Sequence, residues 1–163
     1  MNLFFFGTLM DPEVRALVMG RDVHPEQVEP AIAQGFRRVF IAGRHYPMLL
    51  AHASGWVEGT LVTGVDAVSL HRLQVYEGWE YTLQPIQVQA SGRKVMAHVF
   101  MSRPKVAPDR RPWRLDQWQR RHKRTFLPKA RLHMERVLRG IAKSSPYSGT
   151  HPRPGLAPRS GKK

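Results

Sequence analysis

The sequence predicts an α+β chain: a small, strongly curved or closed sheet with flanking helices and a basic helical C-terminal extension. Three observations carry that prediction. β-type segments dominate residues 1–101, with only two helical stretches inserted among them. Glycines punctuate the strand-like segments, where curvature or close backbone approach calls for them. The composition then changes abruptly at Arg103.

The first element is the apolar run Leu3-Phe4-Phe5-Phe6, read as a strand buried on both faces. A Gly7-Thr8 corner follows, and then a helix start. Asp11 suits the N-cap, Pro12 the first helical position, and Glu13 the positive helix end. Val14, Leu17 and Val18 form its apolar stripe and Gly20 its stop. Residues 27–41 alternate in two pieces interrupted by Pro30 and Gly35, as an edge or bulged strand pair would. Gly43 to Pro47 reads as a loop, Met48-Leu49-Leu50 as a short strand, and Gly55 to Thr63 as a clear one. Asp66 caps a second helix across Val68 to Tyr76, which Gly78 stops. Tyr81 to Gln89 and Lys94 to Met101 alternate around Ser91-Gly92, a hairpin signal. No internal repeat is visible.

At 163 residues the chain is long enough for one domain with a real core. It has no cysteine, which excludes disulfides, thiolate chemistry and a Cys-rich zinc site. The N-terminal apolar run is too short for a membrane span and lacks a basic leader, so the expected location is cytoplasmic. The net charge of +14 is unevenly spread. Through Ser102 there are 8 Lys and Arg against 9 Asp and Glu; from Arg103 onward there are 18 against 3. The excess belongs to the appendage.

That division sets the expected organisation: a barrel-like domain over 1–102, a basic helical extension over 103–143 packing on it, and a disordered basic tail over 144–163. Pro104, Pro108 and Pro112 make an extended connector. Leu115, Trp118, His122 and Phe126 form a narrow helical stripe, Pro128 breaks or restarts that helix, and Leu132, Val137 and Leu138 suggest a second one. The bland reading packs Trp118 and Phe126 inward and solvates the arginines. In a rival reading, Trp113 and Trp118 stack on bases or insert at an anionic surface, making the segment a binding module for nucleic acid or an acidic partner.

Two places carry potential chemistry. The strand–Gly–helix corner aims free N–H groups at one point, suited to an anion or a developing oxyanion, although an ordinary βα connection reads the same way. Glu77 lies at the C-terminal end of the second helix, among Tyr76, Trp79 and Tyr81. The helix dipole and aromatic desolvation both raise a carboxyl pKa there, which suits a general acid/base near neutrality. The competing reading is a surface glutamate beside a glycine C-cap. The eight histidines never form a tight ligand pair, and no metal ligand set is assigned.

In order and spacing, five pieces resemble the γ-glutamylcyclotransferase-like proteins over roughly residues 1–101. They are Phe6-Gly7-Thr8-Leu9, Gly35-Phe36-Arg37, Tyr46-Pro47, Val57-Glu58-Gly59 and Leu73 through Tyr81. The resemblance implies a small mixed β-barrel with flanking helices. It implies Glu77 as catalytic glutamate and Phe6, Gly7, Thr8 and Leu9 as the substrate loop; Tyr46 and Tyr81 could line the pocket, though core or rim packing is their commoner use. It also implies cyclisation of a small γ-glutamyl substrate to 5-oxoproline with release of an amine, using no metal or organic cofactor. Two positions depart: the family's usual Tyr is Phe6 here, and its common Asp, three residues before the glutamate, is Gln74.

Overall fold

In the computed structural model, which describes residues 1–144, strands β1 (Leu3–Phe5), β2 (Val28–Ile41), β3 (Pro47–Val62), β4 (Tyr81–Ala90) and β5 (Arg93–Ser102) lie in the order β3-β1-β5-β4-β2. β2 then pairs back on β3, closing a five-stranded barrel. The β1–β5 pairing is parallel and the others are antiparallel, so the barrel is mixed, as expected. Helices α1 (Pro12–Met19) and α2 (Ala67–Glu77) pack outside it. The expected tail lies, from residue 145 onward, outside the described residues.

The apolar run at the N-terminus is explained by two cores. Along β1, alternate side chains point to opposite faces. Phe4, continued by Phe6, joins Ala33, Val57, Leu61, Val88 and Val99 inside the barrel. Leu3 and Phe5 instead join Val14, Val18 and Leu73 of the helices. Each side of the strand is buried, so no polar residue is tolerated at any of the four positions.

The curvature sits where the glycines are. The segments read as separate strands around Gly35 and Gly55 are continuous. β2 and β3 each run through a bulge, with Gln34 opposite Trp56 and Phe36 opposite Ala51. Gly35 takes φ +84° at that kink, a conformation that favours glycine. At Gly59, a Cβ would lie 2.4 Å from both the Phe4 ring and the Phe5 carbonyl oxygen. Pro30 stays within β2, opposite Thr60 of β3, while the ladder to β4 is registered at Ile32. A strand that lacks one N–H can be paired on one side there.

Both helix caps behave as read. Asp11 accepts from the Glu13 and Val14 N–H groups, and Gly20 ends α1 at φ +77°. Asp66 accepts from the Ser69 N–H and Gly78 ends α2. The hairpin turn at Ser91-Gly92 has both residues at positive φ, 48° and 75°, as a tight two-residue turn requires.

The C-terminal segment joins the same architecture. Its extended connector becomes strand β6 (Pro108–Pro112), paired with the C-terminal half of β2 beyond the reach of β4. Helix α3 (Leu115–Trp118), a π-helical stretch (Gln119–Lys123) and α4 (Arg124–Ser144) then run on without interruption. Pro128 lies inside α4 and does not break it. Trp113 and Trp118 are both 2% exposed and share a core with Phe5, Phe100 and Met134. Neither indole is available to stack on a base or enter a membrane, and Phe126 packs edge-on against Trp118 at 5.1 Å. Among the described residues, no helix is long and apolar enough to cross a membrane.

Candidate active site

A cavity of about 340 Å³ lies between one end of the barrel, the end of α2 and the inner face of α4. All seven residues singled out from the sequence line it: Phe6, Gly7, Thr8, Leu9, Tyr46, Glu77 and Tyr81. They come from four separate chain segments. Gln74, the second departure from the family pattern, is exposed and does not line it.

The first wall is the turn that leaves β1. Thr8 to Met10 forms one 3₁₀ turn, closed by the Met10 N–H on the Gly7 carbonyl and the Asp11 N–H on the Thr8 carbonyl. Two arginines hold the remaining carbonyls. Arg15, 6% exposed, donates to the Leu9 and Met10 carbonyls, both at 3.1 Å. Arg38 of β2 donates to the Phe6 carbonyl at 2.9 Å, and to the Glu58 and Trp113 carbonyls. Among the described residues, the Gly7, Thr8 and Leu9 N–H groups have no acceptor. With its carbonyls tied down, the turn keeps three unpaired backbone donors, the kind of group that can receive negative charge. Gly7 also admits Pro47, whose Cγ would sit 3.1 Å from a Cβ at that position.

A second anchor fixes the turn from outside. The Asp11 side chain is fully buried and, besides capping α1, receives Gln119 Nε2 at 2.7 Å and Lys123 Nζ at 2.8 Å. Burial alone would raise its pKa. The Lys123, Gln119 and Val14 donors outweigh burial and hold it below the usual carboxylate range. The π-helical stretch presents both donors to this one carboxylate.

The opposite wall is Glu77 with three tyrosines. Glu77 ends α2, half-buried, and among the described residues its carboxyl has no hydrogen-bond or ion-pair partner. Desolvation pushes its pKa up to about 8. Trp79, expected to contribute to that desolvation, is 69% exposed; Tyr76, Tyr81 and Tyr46 line the cavity instead. Tyr76 shares a hydrogen bond of 2.9 Å with the Thr8 hydroxyl, linking the two walls directly. Tyr81 donates to the Pro47 carbonyl at 3.1 Å, and Trp113 Nε1 donates to the His45 carbonyl at 2.9 Å, so the Tyr46–Pro47 loop is held from both sides. Burial first, and the Glu77 charge after it, raise the pKa of Tyr76 and Tyr81, keeping both phenols protonated. For Tyr46, burial and then the charge of Glu80 act in the same direction.

Sequence reasoning missed the supports and one side of the mouth. The sequence assigns Arg15 and Arg38 no role, and nothing in their spacing marks their carbonyl partners. Phe126, Lys129, Ala130 and His133 of α4 also line the cavity. A helical stripe identifies an inward face without saying that it meets a cavity. Among the described residues, no group of three or more His, Cys, Asp or Glu side chains is placed to hold a metal ion.

Comparison with known proteins supplies the family. Residues 3–120 match the family model described as gamma-glutamyl cyclotransferase, AIG2-like. AIG2-like protein A of Arabidopsis thaliana is 31% identical over 137 residues, covering 82% of this chain and 81% of that protein. Protein AIG2 C of the same plant is 27% identical over 140 residues, covering 82% and 81%. A solution structure from Arabidopsis thaliana superposes with a TM-score of 0.59 at 28% identity, covering 89% of this chain and 93% of that one. A solved gamma-glutamyl cyclotransferase shares the fold, with a TM-score of 0.50 at 13% identity over 67% of this chain and 68% of that one. On these matches, and with the barrel and the Phe6–Leu9 turn in place, the chain belongs to the gamma-glutamyl cyclotransferase, AIG2-like family.

Proposed function

We propose that this protein cyclises a γ-glutamyl amide to 5-oxoproline and releases the amine, with Glu77 as the general acid/base. One observation carries the reading. An unpartnered, desolvated carboxyl and a turn with three unpaired N–H donors line the same cavity, bridged by the Thr8–Tyr76 hydrogen bond.

The reaction is intramolecular, so most of the acceleration comes from holding the glutamyl group folded, with its α-nitrogen against its γ-carbonyl. Glu77 in its ionised form takes a proton from the substrate α-ammonium. The freed amine attacks the γ-carbonyl carbon, forming the ring C–N bond. The Gly7, Thr8 and Leu9 N–H groups then stabilise either the oxyanion or the α-carboxylate. Glu77 returns the proton to the departing nitrogen as the original amide C–N bond breaks. Of the three ammonium protons, one stays on the lactam nitrogen and two leave with the amine, so the same carboxyl serves twice. A pKa near 8 suits a group that must both accept and donate around neutrality.

Phe6 lines the cavity without a hydroxyl, so substrate recognition falls to the backbone cradle and to Tyr46, Tyr76 and Tyr81. The test is a panel of γ-glutamyl peptides and γ-glutamylamines assayed for 5-oxoproline release, with Glu77→Gln as the control. The expected result is release by the wild-type protein from at least one compound. The variant should lose that turnover by about a thousandfold or more while its circular dichroism spectrum is unchanged.

A further inference from the structure

The mouth of the cavity carries an electrostatic asymmetry that the cyclisation chemistry does not use. Of the charged groups lining it, Glu77 and Glu80 lie on the barrel and α2 side, and Lys129 lies on α4. Glu80 is already neutralised by Arg44 at 3.3 Å. Lys129 has no ion-pair or hydrogen-bond partner among the described residues, and neither glutamate comes within 4.0 Å of its amine. It is exposed at the rim, while its neighbour Ala130 is buried against the core. His133 follows one turn later on the same helix face and also lines the cavity. The surrounding helix strengthens the bias. Between Arg120 and Arg139 it carries many cations and only Glu135 as an acid, which is paired with Arg139. Lys129 and His133 lie beyond residues 3–120, the stretch that matches the family model.

Resting on the cyclisation reading above, we infer that Lys129 is a specificity residue: it selects γ-glutamyl compounds whose leaving amine carries a carboxylate, and disfavours those whose leaving amine carries a second cation. The reasoning follows the substrate's own geometry. Once the glutamyl half is folded against Glu77 and the Gly7–Leu9 cradle, the leaving half extends from the γ-carbonyl toward the mouth. An amino acid or peptide leaving group places its carboxylate in that direction, where an unpaired ammonium can receive it. A diamine places a cation there, against Lys129 and the basic face of α4. A lysine that already had a carboxylate partner could not discriminate in this way.

Three substrates differing only in the terminal group separate the possibilities: γ-glutamyl-glycine, its neutral C-terminal amide, and γ-glutamyl-ethylenediamine. The wild-type protein should prefer the free acid over the amide by about tenfold in kcat/KM, carried mainly by KM, with the diamine poorer still. Lys129→Ala should bring the acid-to-amide ratio to about one, Lys129→Arg should retain the preference, and Lys129→Glu should reverse it toward the diamine. Raising the salt concentration should shrink the wild-type ratio. Equal wild-type rates on acid and amide would overturn the inference and leave cyclisation standing. So would an acid-to-amide ratio unchanged in Lys129→Ala, or a loss shared equally by both substrates, which would mean that Lys129 reads the glutamyl half. Failure of the wild-type protein to release 5-oxoproline from any γ-glutamyl compound would remove the cyclisation reading, and this inference with it.

Discussion

Glu77 pays for its proposed chemistry with stability, and the two demands can be measured separately. Its folded pKa, about 8, lies far above that of an exposed glutamate, so the folded state binds a proton that the unfolded chain has released. That contribution to stability is complete below the unfolded value of about 4.3 and is lost as pH rises toward 8. Glu77→Gln removes the charged form altogether. At pH 8 to 9 this variant should be more stable than the wild type by about 1–3 kcal/mol, with the difference shrinking below pH 5. Urea unfolding at the two pH values checks this. The same titration should appear in catalysis: kcat/KM for the wild type should climb with pH and level off above about 8. A rising limb near 4 to 5 would mean an unperturbed carboxylate.

At the scale of single elements, the turn after β1 is held by side chains that take up its carbonyls and leave its N–H groups free. Arg38 is the hub, serving the Phe6, Glu58 and Trp113 carbonyls and lying over the Trp113 ring at 5.2 Å. Arg38→Met leaves those carbonyls without their donor. It should cost about 2–3 kcal/mol in urea unfolding and lower kcat/KM at least tenfold, since the cradle loses its register. Asp11 performs the parallel task from outside. Asp11→Ala removes a helix cap and one of the two carboxylates that pair with Lys123, the other being Glu13 at 3.0 Å, so a loss of about 2 kcal/mol is expected at neutral pH. Because the Asp11 pKa is depressed, the contribution is present above the unfolded value and fades as pH falls through the acid range. The wild-type and variant unfolding curves should therefore converge at low pH. These elements differed in how readable they were. The cap, the proline and the helix stripe around Asp11 are local signals, and they appear as read. The carbonyl clamps were not readable, because Arg37 and Arg38 are adjacent cations and only the barrel register shows that Arg38 faces the turn.

For the whole molecule, closure of the sheet brings the Phe6–Leu9 turn, Tyr46 and the Glu77–Tyr81 segment together although tens of residues separate the three. Local signals mark the Phe6–Leu9 corner and Glu77, the family resemblance implies their roles, and Tyr46 and Tyr81 read only as residues that could line a pocket. Sequence pattern did not reach the side of the cavity made by α4. There, Pro128 signals a break that does not occur, and the helix continues as one body from Leu115 to Ser144. Trp118 couples this helix to the core between the barrel and the helices, beside Leu3, Phe5 and Val14. Trp118→Ala should cost about 3–5 kcal/mol and raise KM, since the helix that bounds the mouth loses its anchor. With both indoles buried, any anionic partner of the basic segment would have to be met by its exposed arginines and lysines alone.

The most direct measurement is 5-oxoproline release from γ-glutamyl compounds by the wild-type protein and by Glu77→Gln, with folding followed on the same samples. The expected result is turnover by the wild type, and loss of turnover in a variant that is folded and, at alkaline pH, more stable. Equal turnover by the two proteins would contradict the assignment of Glu77 as the acid/base, and with it the functional reading of the cavity.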